Sequence, residues 1–323
     1  MILDAETLQP VGAVDVLVRG ATELRLPGSL KTELHASVVE LNTGVCADAD
    51  GAVAQLRELR AAADSIARAN GLVVAAAGAH PTAPLESLPV VQEDRYLDMV
   101  RHVGYAARRQ GVNGLHVHVG VESAERCYER LESVLPWLPV VLALSVNSPF
   151  VDGAETGMLS VRASILSELP RGGAPPAFAS YADWEAWVER FVELGVMEDY
   201  TRIWWDLRPH PRFGTLEIRV ADQPTSLART SLLAQLLQDL VQHASSRRAP
   251  RADYLQNRWA AARFGLDATL IHPDGDRTVG AATLARELLA AEPPEAEALC
   301  QLEVARTQGQ DAVAADLVAR TLA

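Results

Sequence analysis

The amino-acid sequence predicts an α+β protein, and three observations carry that expectation. Segments of helical periodicity and of strand-like alternation follow one another without the strict strand–helix–strand rhythm of a doubly wound sheet. No Gly-x-Gly-x-x-Gly, phosphate-binding loop or internal repeat interrupts them. With 323 residues, 49% hydrophobic and 22% charged, the chain can bury a core that needs no disulfide or metal staple. A single domain over 1–323 is expected, with sheet and helices over about 1–268 and a helical segment over about 269–323.

The elements follow in order. Met1-Ile2-Leu3-Asp4 reads as the tail of a strand entering a turn at 4–10. Asp48 or Asp50 caps a helix over about 51–70, whose Leu56, Leu59, Ala63 and Ile66 recur at helical spacing until Gly71 stops it. Leu72–Ala79 is a small-residue apolar run that suits a buried strand. A second helix spans about 92–110 and ends at Gly111, and Leu115–Val121 then alternates as a strand. Ser123 caps a third helix that Pro136 must end. Val140–Val146 has no polar face and must be buried whatever structure it takes.

The Gly and Pro cluster at Arg171–Phe178 predicts a loop. A helix over about 181–194 follows, with Trp184, Trp187, Val188 and Phe191 on its apolar stripe. Strands at about 202–208 and 214–221 flank the turn His210-Pro211-Arg212-Phe213-Gly214 as a hairpin. Helices at about 226–245, 281–291 and 295–322 close the chain.

Charge narrows the partners. Against 42 acidic residues stand 29 basic ones, a net −13, with Lys31 the single lysine. That balance disfavours nucleic acid or an anionic membrane, which need a cationic surface, though a polyanion can still bind locally where arginines or divalent metal line a site. Cys46, Cys127 and Cys300 match no metal-ligand or disulfide spacing, so a reducing cytoplasm is the expected compartment. No signal-peptide pattern opens the chain, and the apolar run Leu135–Val146 is too short to span a bilayer.

Several groups could carry chemistry. On a strand, His116 and His118 face one way while Leu115, Val117 and Val119 face the other. Two imidazoles on one face suit a divalent metal, a phosphate contact or plain surface packing. Glu217 and Arg219 share a face by the same alternation, with Asp206 and Arg208 across the turn. That doubled pairing reads either as a salt-bridge ladder or as a metal carboxylate beside an anion-binding arginine. Glu33 and Glu40, seven apart, share a helical face but not a regular strand face, so joint ligation would need a helical turn or a bulge. Arg162 after Thr156-Gly157 could clamp a carboxylate. In Asn257-Arg258-Trp259 with Arg263, the plain reading packs Trp259 on the core and leaves the arginines in solvent.

Taken in order, these segments resemble a known family. Gly114-Leu-His-Val-His-Val-Gly120, Leu144-Ser-Val-Asn-Ser-Pro-Phe150, Trp205-Asp-Leu-Arg-Pro209 with Arg212-Phe-Gly-Thr-Leu-Glu-Ile-Arg219, and Asn257-Arg-Trp259 through Gly265-Leu-Asp267 are similar to the carboxylate–amine ligases of the type-2 glutamate–cysteine ligase group, relatives of glutamine synthetase. The resemblance implies an antiparallel curved sheet forming a half-funnel backed by helices. It also implies an ATP- and Mg²⁺-dependent ligase that phosphorylates a carboxylate, often that of glutamate, before an amine displaces phosphate.

By the same resemblance Glu33, Glu40, His116 and Glu217 look like metal ligands, and His118 and Arg219 the catalytic groups near the phosphates. Arg162 looks like the arginine for the carboxylate substrate, and Arg263, with Arg219, a nucleotide-facing group. The family's opening strand, Gly-Val-Glu-Glu-Glu, would stand just ahead of Met1. The expectation therefore carries an alternative, a catalytically impaired ligase-like binding subunit. An exposed sheet edge would favour pairing with a second copy. Ala154-Glu155 and the segment 301–306 depart from the arginine-bearing pattern of relatives.

Overall fold

The computed structural model describes residues 1–245 and 248–322, and they form a mixed helix-and-sheet protein, as the α+β expectation has it. The amino-terminal third contains β1 (Ile2–Asp4), α1 (Val14–Ala21), β2 (Gly28–Thr32), β3 (Val39–Thr43), α2 (Ala49–Arg68), β4 (Leu72–Val74), α3 (Asp94–Val103) and α4 (Tyr105–Arg108). The middle contains β5 (Val117–Gly120), α5 (Ala124–Val134), α6 (Leu138–Ser145), β6 (Phe150–Val151), β7 (Ala154–Glu155), α7 (Val161–Leu166), β8 (Gly172–Gly173) and α8 (Tyr181–Glu193). Then come β9 (Trp204–Trp205), β10 (Leu207–His210), β11 (Thr215–Ile218), α9 (Leu227–His243), α10 (Arg251–Phe264), β12 (Thr269–Ile271), β13 (Thr278–Gly280), α11 (Ala281–Leu289), α12 (Glu297–Gln308) and α13 (Asp311–Thr321).

Among the described residues the strands make one three-stranded antiparallel sheet, ordered β10–β11–β5, and several two-stranded ribbons. Its register sets Arg208 opposite Glu217 and Glu217 opposite His118, so one face carries all three. The other face carries Val119, Leu207, Leu216 and Ile218 into the main core, against residues of α5, α6 and α9. This alternation of an apolar back and a polar front is what builds the site.

Caps and breakers act largely where the sequence places them. Asp48 accepts from Gly51 N at the start of α2, and Ser123 from Arg126 N at the start of α5. Every residue of α6 is buried, which answers for its lack of a polar face. The expected helix at 92–110 is two helices, because Gly104 takes a positive φ of 72° between α3 and α4. The expected helix at 295–322 is likewise split at Gly309, φ 91°. The run 72–79 is a strand only as far as Val74, and the predicted loop 171–178 contributes β8, which pairs parallel with β9. The strand expected from Leu115 begins at Val117.

Histidine 80 pins the turn beyond β4. Its Nε2 donates to Leu8 O at 2.9 Å, and its Nδ1 accepts from Ala83 N at 3.0 Å and Thr82 N at 3.3 Å. Burial lowers its pKa to about 4. In the unfolded chain it protonates below 6.5, so its contribution to stability is present above 6.5 and is lost as the pH falls towards 4. The loss is about 3 kcal/mol across that window. Measured by urea denaturation, the stability gap between the wild type and His80→Gln should shrink steadily from pH 6.5 to 4, and a constant gap would count against this account.

Candidate active site

Glu217 is the hub. Its side chain is buried, with Oε2 2.6 Å from Arg208 Nε and Oε1 2.5 Å from Arg219 Nη1. The same Oε1 lies 3.8 Å from His118 Nε2 and 4.0 Å from His116 Nδ1. Burial works to raise the pKa of this carboxyl, but Arg219 and Arg208 outweigh it and hold the group far below the usual carboxylate range. It is a fixed anion at any physiological pH.

Both imidazoles are partly accessible beside this carboxylate. His116 keeps 31% and His118 33% of the side chain accessible, yet desolvation lowers both pKa values, that of His116 strongly and with help from Arg219. They are neutral at pH 7, the form that can ligate a metal or accept a proton. Thr215 Oγ1 sits 2.9 Å from His118 Nδ1, which leaves Nε2 as the atom facing Glu217. Beyond them His210 stacks on Phe213 at 4.3 Å and meets His118 edge-on at 5.1 Å. The rings of Phe213 and Tyr200 extend this aromatic end of the site.

Glu33 and Glu40 meet by a route the spacing did not offer. Neither a helix nor a bulge joins them: β2 and β3 pair as a hairpin, with Lys31 opposite Glu40, and Glu33 follows directly after β2. Desolvation and the nearby Glu40 charge raise the Glu33 pKa, against the pull of Arg219 and Arg95. Arg219 thus pairs with Glu217 and is also felt electrostatically by Glu33. Its Nη1 also lies 3.4 Å from His116 Nδ1, and its Nε has no hydrogen-bond partner among the described residues.

The donors suit a hard divalent cation in kind: Glu33, whose pKa is raised by burial and by the charge of Glu40, and a neutral imidazole beside a carboxylate. They are not drawn together as a cage, since no three His, Cys, Asp or Glu side chains among the described residues are placed to hold an ion. Arg219 fills that role of counter-charge in this arrangement.

The remaining candidates lie elsewhere. Arg162 is 2% exposed and its terminal nitrogens donate to Val220 O and Arg219 O, behind the site. Arg263 is half-buried, over the Phe264 ring and close to Gly157. The cross-strand pairing forms between Arg208 and Glu217, but Asp206 stands outside it. Its buried carboxylate accepts from Arg258 Nε at 2.6 Å and Tyr254 OH at 2.7 Å. Arg258 is therefore buried and Trp259 is 52% exposed, the reverse of the plain sequence reading. The helix bearing them, α10, escaped prediction because its buried residues mix Tyr254, Asn257 and Arg258 with the small Ala260, Ala261 and Ala262.

One site residue was named in the sequence only as a partner across the turn, and another not at all. Arg208 was visible in principle, since the hairpin register places it opposite Glu217. Arg95 was not: it comes from α3, donates to Thr32 Oγ1 at 2.8 Å and lies over Tyr96, whose hydroxyl donates to Thr32 O.

The model of the glutamate–cysteine ligase family 2 matches residues 3–314. A Rubrobacter xylanophilus protein named "Putative glutamate–cysteine ligase 2-3" is 39% identical over 293 residues, covering 90% of this chain and 80% of that one. A second protein of that organism, "Putative glutamate–cysteine ligase 2-1", is 38% identical over 94% of this chain and 82% of its own length. A Jannaschia sp. relative, "Putative glutamate–cysteine ligase 2", is 35% identical over 95% of this chain and 83% of that one. No helix is long and apolar enough to cross a membrane among the described residues. The chain belongs to the glutamate–cysteine ligase family 2.

Proposed function

We propose that the protein is an ATP-dependent carboxylate–amine ligase acting on glutamate, with residues 1–323 as one catalytic unit. The observation that carries this reading is the convergence of His116, His118, Arg208 and Arg219 on Glu217, on the polar face of the β10–β11–β5 sheet, in a chain of this family. That sheet would form the wall of the half-funnel.

The chemistry follows from the residue types. A γ-carboxylate oxygen of glutamate attacks the γ-phosphorus of ATP, and ADP leaves. The amine nitrogen then attacks the acyl carbon, phosphate departs, and the nitrogen loses a proton. Such phosphoryl transfer depends on neutralising spread negative charge. Arg219, held in place by Glu217, supplies one fixed cation, and neutral His118 is placed to accept the amine's proton. Glu33, Glu40, His116 and Glu217 are the groups that would hold Mg²⁺ once drawn closer together, and the ion when bound would supply Lewis-acid neutralisation of the phosphates. Arg263 is read as the outer, nucleotide-facing group.

The test is direct. Purified protein with ATP, Mg²⁺, glutamate and a panel of amines, cysteine included, should release ADP only when donor and acceptor are both present, and chelation by EDTA should stop it. No ADP with any glutamate–amine pair would remove the reading. A second reading, a ligase-like binding protein, is favoured by one observation: both oxygens of Glu217 are already held by arginines. It predicts Mg-ATP binding by titration without turnover.

A further inference from the structure

We propose that Arg162 is a positioning residue whose sealed guanidinium holds the backbone step that aims Arg219 and His116 at Glu217. This rests on the ligase reading only for its kinetic arm. The sheet itself creates the need. Ile218 pairs with Val117 and Asp222 with Gly114, so three residues, 219–221, face only two, 115–116. Such a bulge takes backbone carbonyls out of the ladder. The Ala221 carbonyl still accepts from Leu115 N, whereas those of Arg219 and Val220 have their partner in Arg162. Its Nη2 donates to Arg219 O at 3.0 Å and its Nη1 to Val220 O at 3.2 Å.

The fork is itself locked from behind. Asp222 is fully buried, with Oδ1 3.8 Å from Arg162 Nη1. The carboxylate also accepts from Asn147 N, Ser148 Oγ and Ser160 Oγ. In front, Gly114 makes room: a Cβ there would lie 2.0 Å from Arg162 Nη2. Only 3% of the Arg162 side chain is accessible, too little to meet a substrate carboxylate head-on. The guanidinium therefore lies under the two segments that carry His116 and Arg219, and reaches the site through them.

Arg162→Lys keeps the charge but loses the fork, and Gly114→Ala keeps Arg162 but pushes it off its carbonyls. Both should lower kcat at least tenfold while KM for glutamate stays within twofold of wild type. A substrate clamp behaves oppositely, with KM rising tenfold or more at nearly unchanged kcat, and that result overturns the proposal, as does wild-type kcat in both variants. Should Arg162→Lys fail to fold, Gly114→Ala carries the kinetic comparison. Should wild-type protein show no ligase turnover, the ligase reading fails separately. Hydrogen exchange then decides: amides of 114–121 and 214–222 should exchange at least tenfold faster in either variant while α2 and α9 stay unchanged. Unchanged exchange there would overturn the positioning role.

Discussion

Glu217→Gln should reduce glutamate-dependent ADP release by about 10²–10³-fold, the usual cost of losing one preorganised electrostatic group. It should also cost about 3–5 kcal/mol of stability, because it leaves buried guanidinium groups without their counter-charge. Arg208 and Arg219 keep only 8% and 12% of their side chains accessible, so water cannot replace the carboxylate cheaply. Urea denaturation and a coupled ADP assay read the two effects independently. The double change Glu217→Gln with Arg208→Met should recover part of the stability and none of the activity, since it removes one stranded cation but not the need for the anion. A single variant as stable as wild type would show that the arginines find other partners and that Glu217 is no hub.

The second large effect lies away from the chemistry. Arg258→Ala should cost about 3–5 kcal/mol, because it strands the fully buried carboxylate of Asp206. Asp206 also accepts from Tyr254 OH, and its carbonyl accepts from Arg219 N, so the damage should reach the site as lowered activity. The neighbouring change Trp259→Ala should cost under about 1 kcal/mol, since half that ring is already in water. Paired denaturation curves of the two variants check the order. If Trp259→Ala proved the costlier change, the burial assigned to α10 would be wrong.

That pair shows where sequence reasoning reached and where it stopped. Caps such as Asp48 and Ser123 were legible because a short polar side chain has one local job, to satisfy the first free amides of a helix. The faces of β5 and β11 were legible because strand alternation has a fixed period of two, which put His118, Glu217 and Arg219 on one surface. The helix α10 was not, because hydrophobic periodicity looks for large apolar side chains inside, and here a buried ion pair shares the inside with small alanines. Glu33 and Glu40 failed as a geometric problem for a related reason. Their proximity is a property of the β2–β3 hairpin, and spacing within a single element carries no information about a turn between two. Arg162 was legible as an arginine in a telling place, but its direction is set by tertiary contacts: carbonyls freed by a bulge and a glycine 48 positions earlier in the chain.

The proposed ligase reaction makes a single chemical demand, that a carboxylate and a phosphate be joined and then parted beside Arg219. Glutamate labelled with ¹⁸O in its γ-carboxylate, incubated with the protein, ATP, Mg²⁺ and an accepting amine, tests this most directly through the ³¹P spectrum of the released phosphate. Transfer through an acyl phosphate predicts one ¹⁸O atom in every phosphate formed with amide product, while unlabelled phosphate accompanying that product would contradict the account.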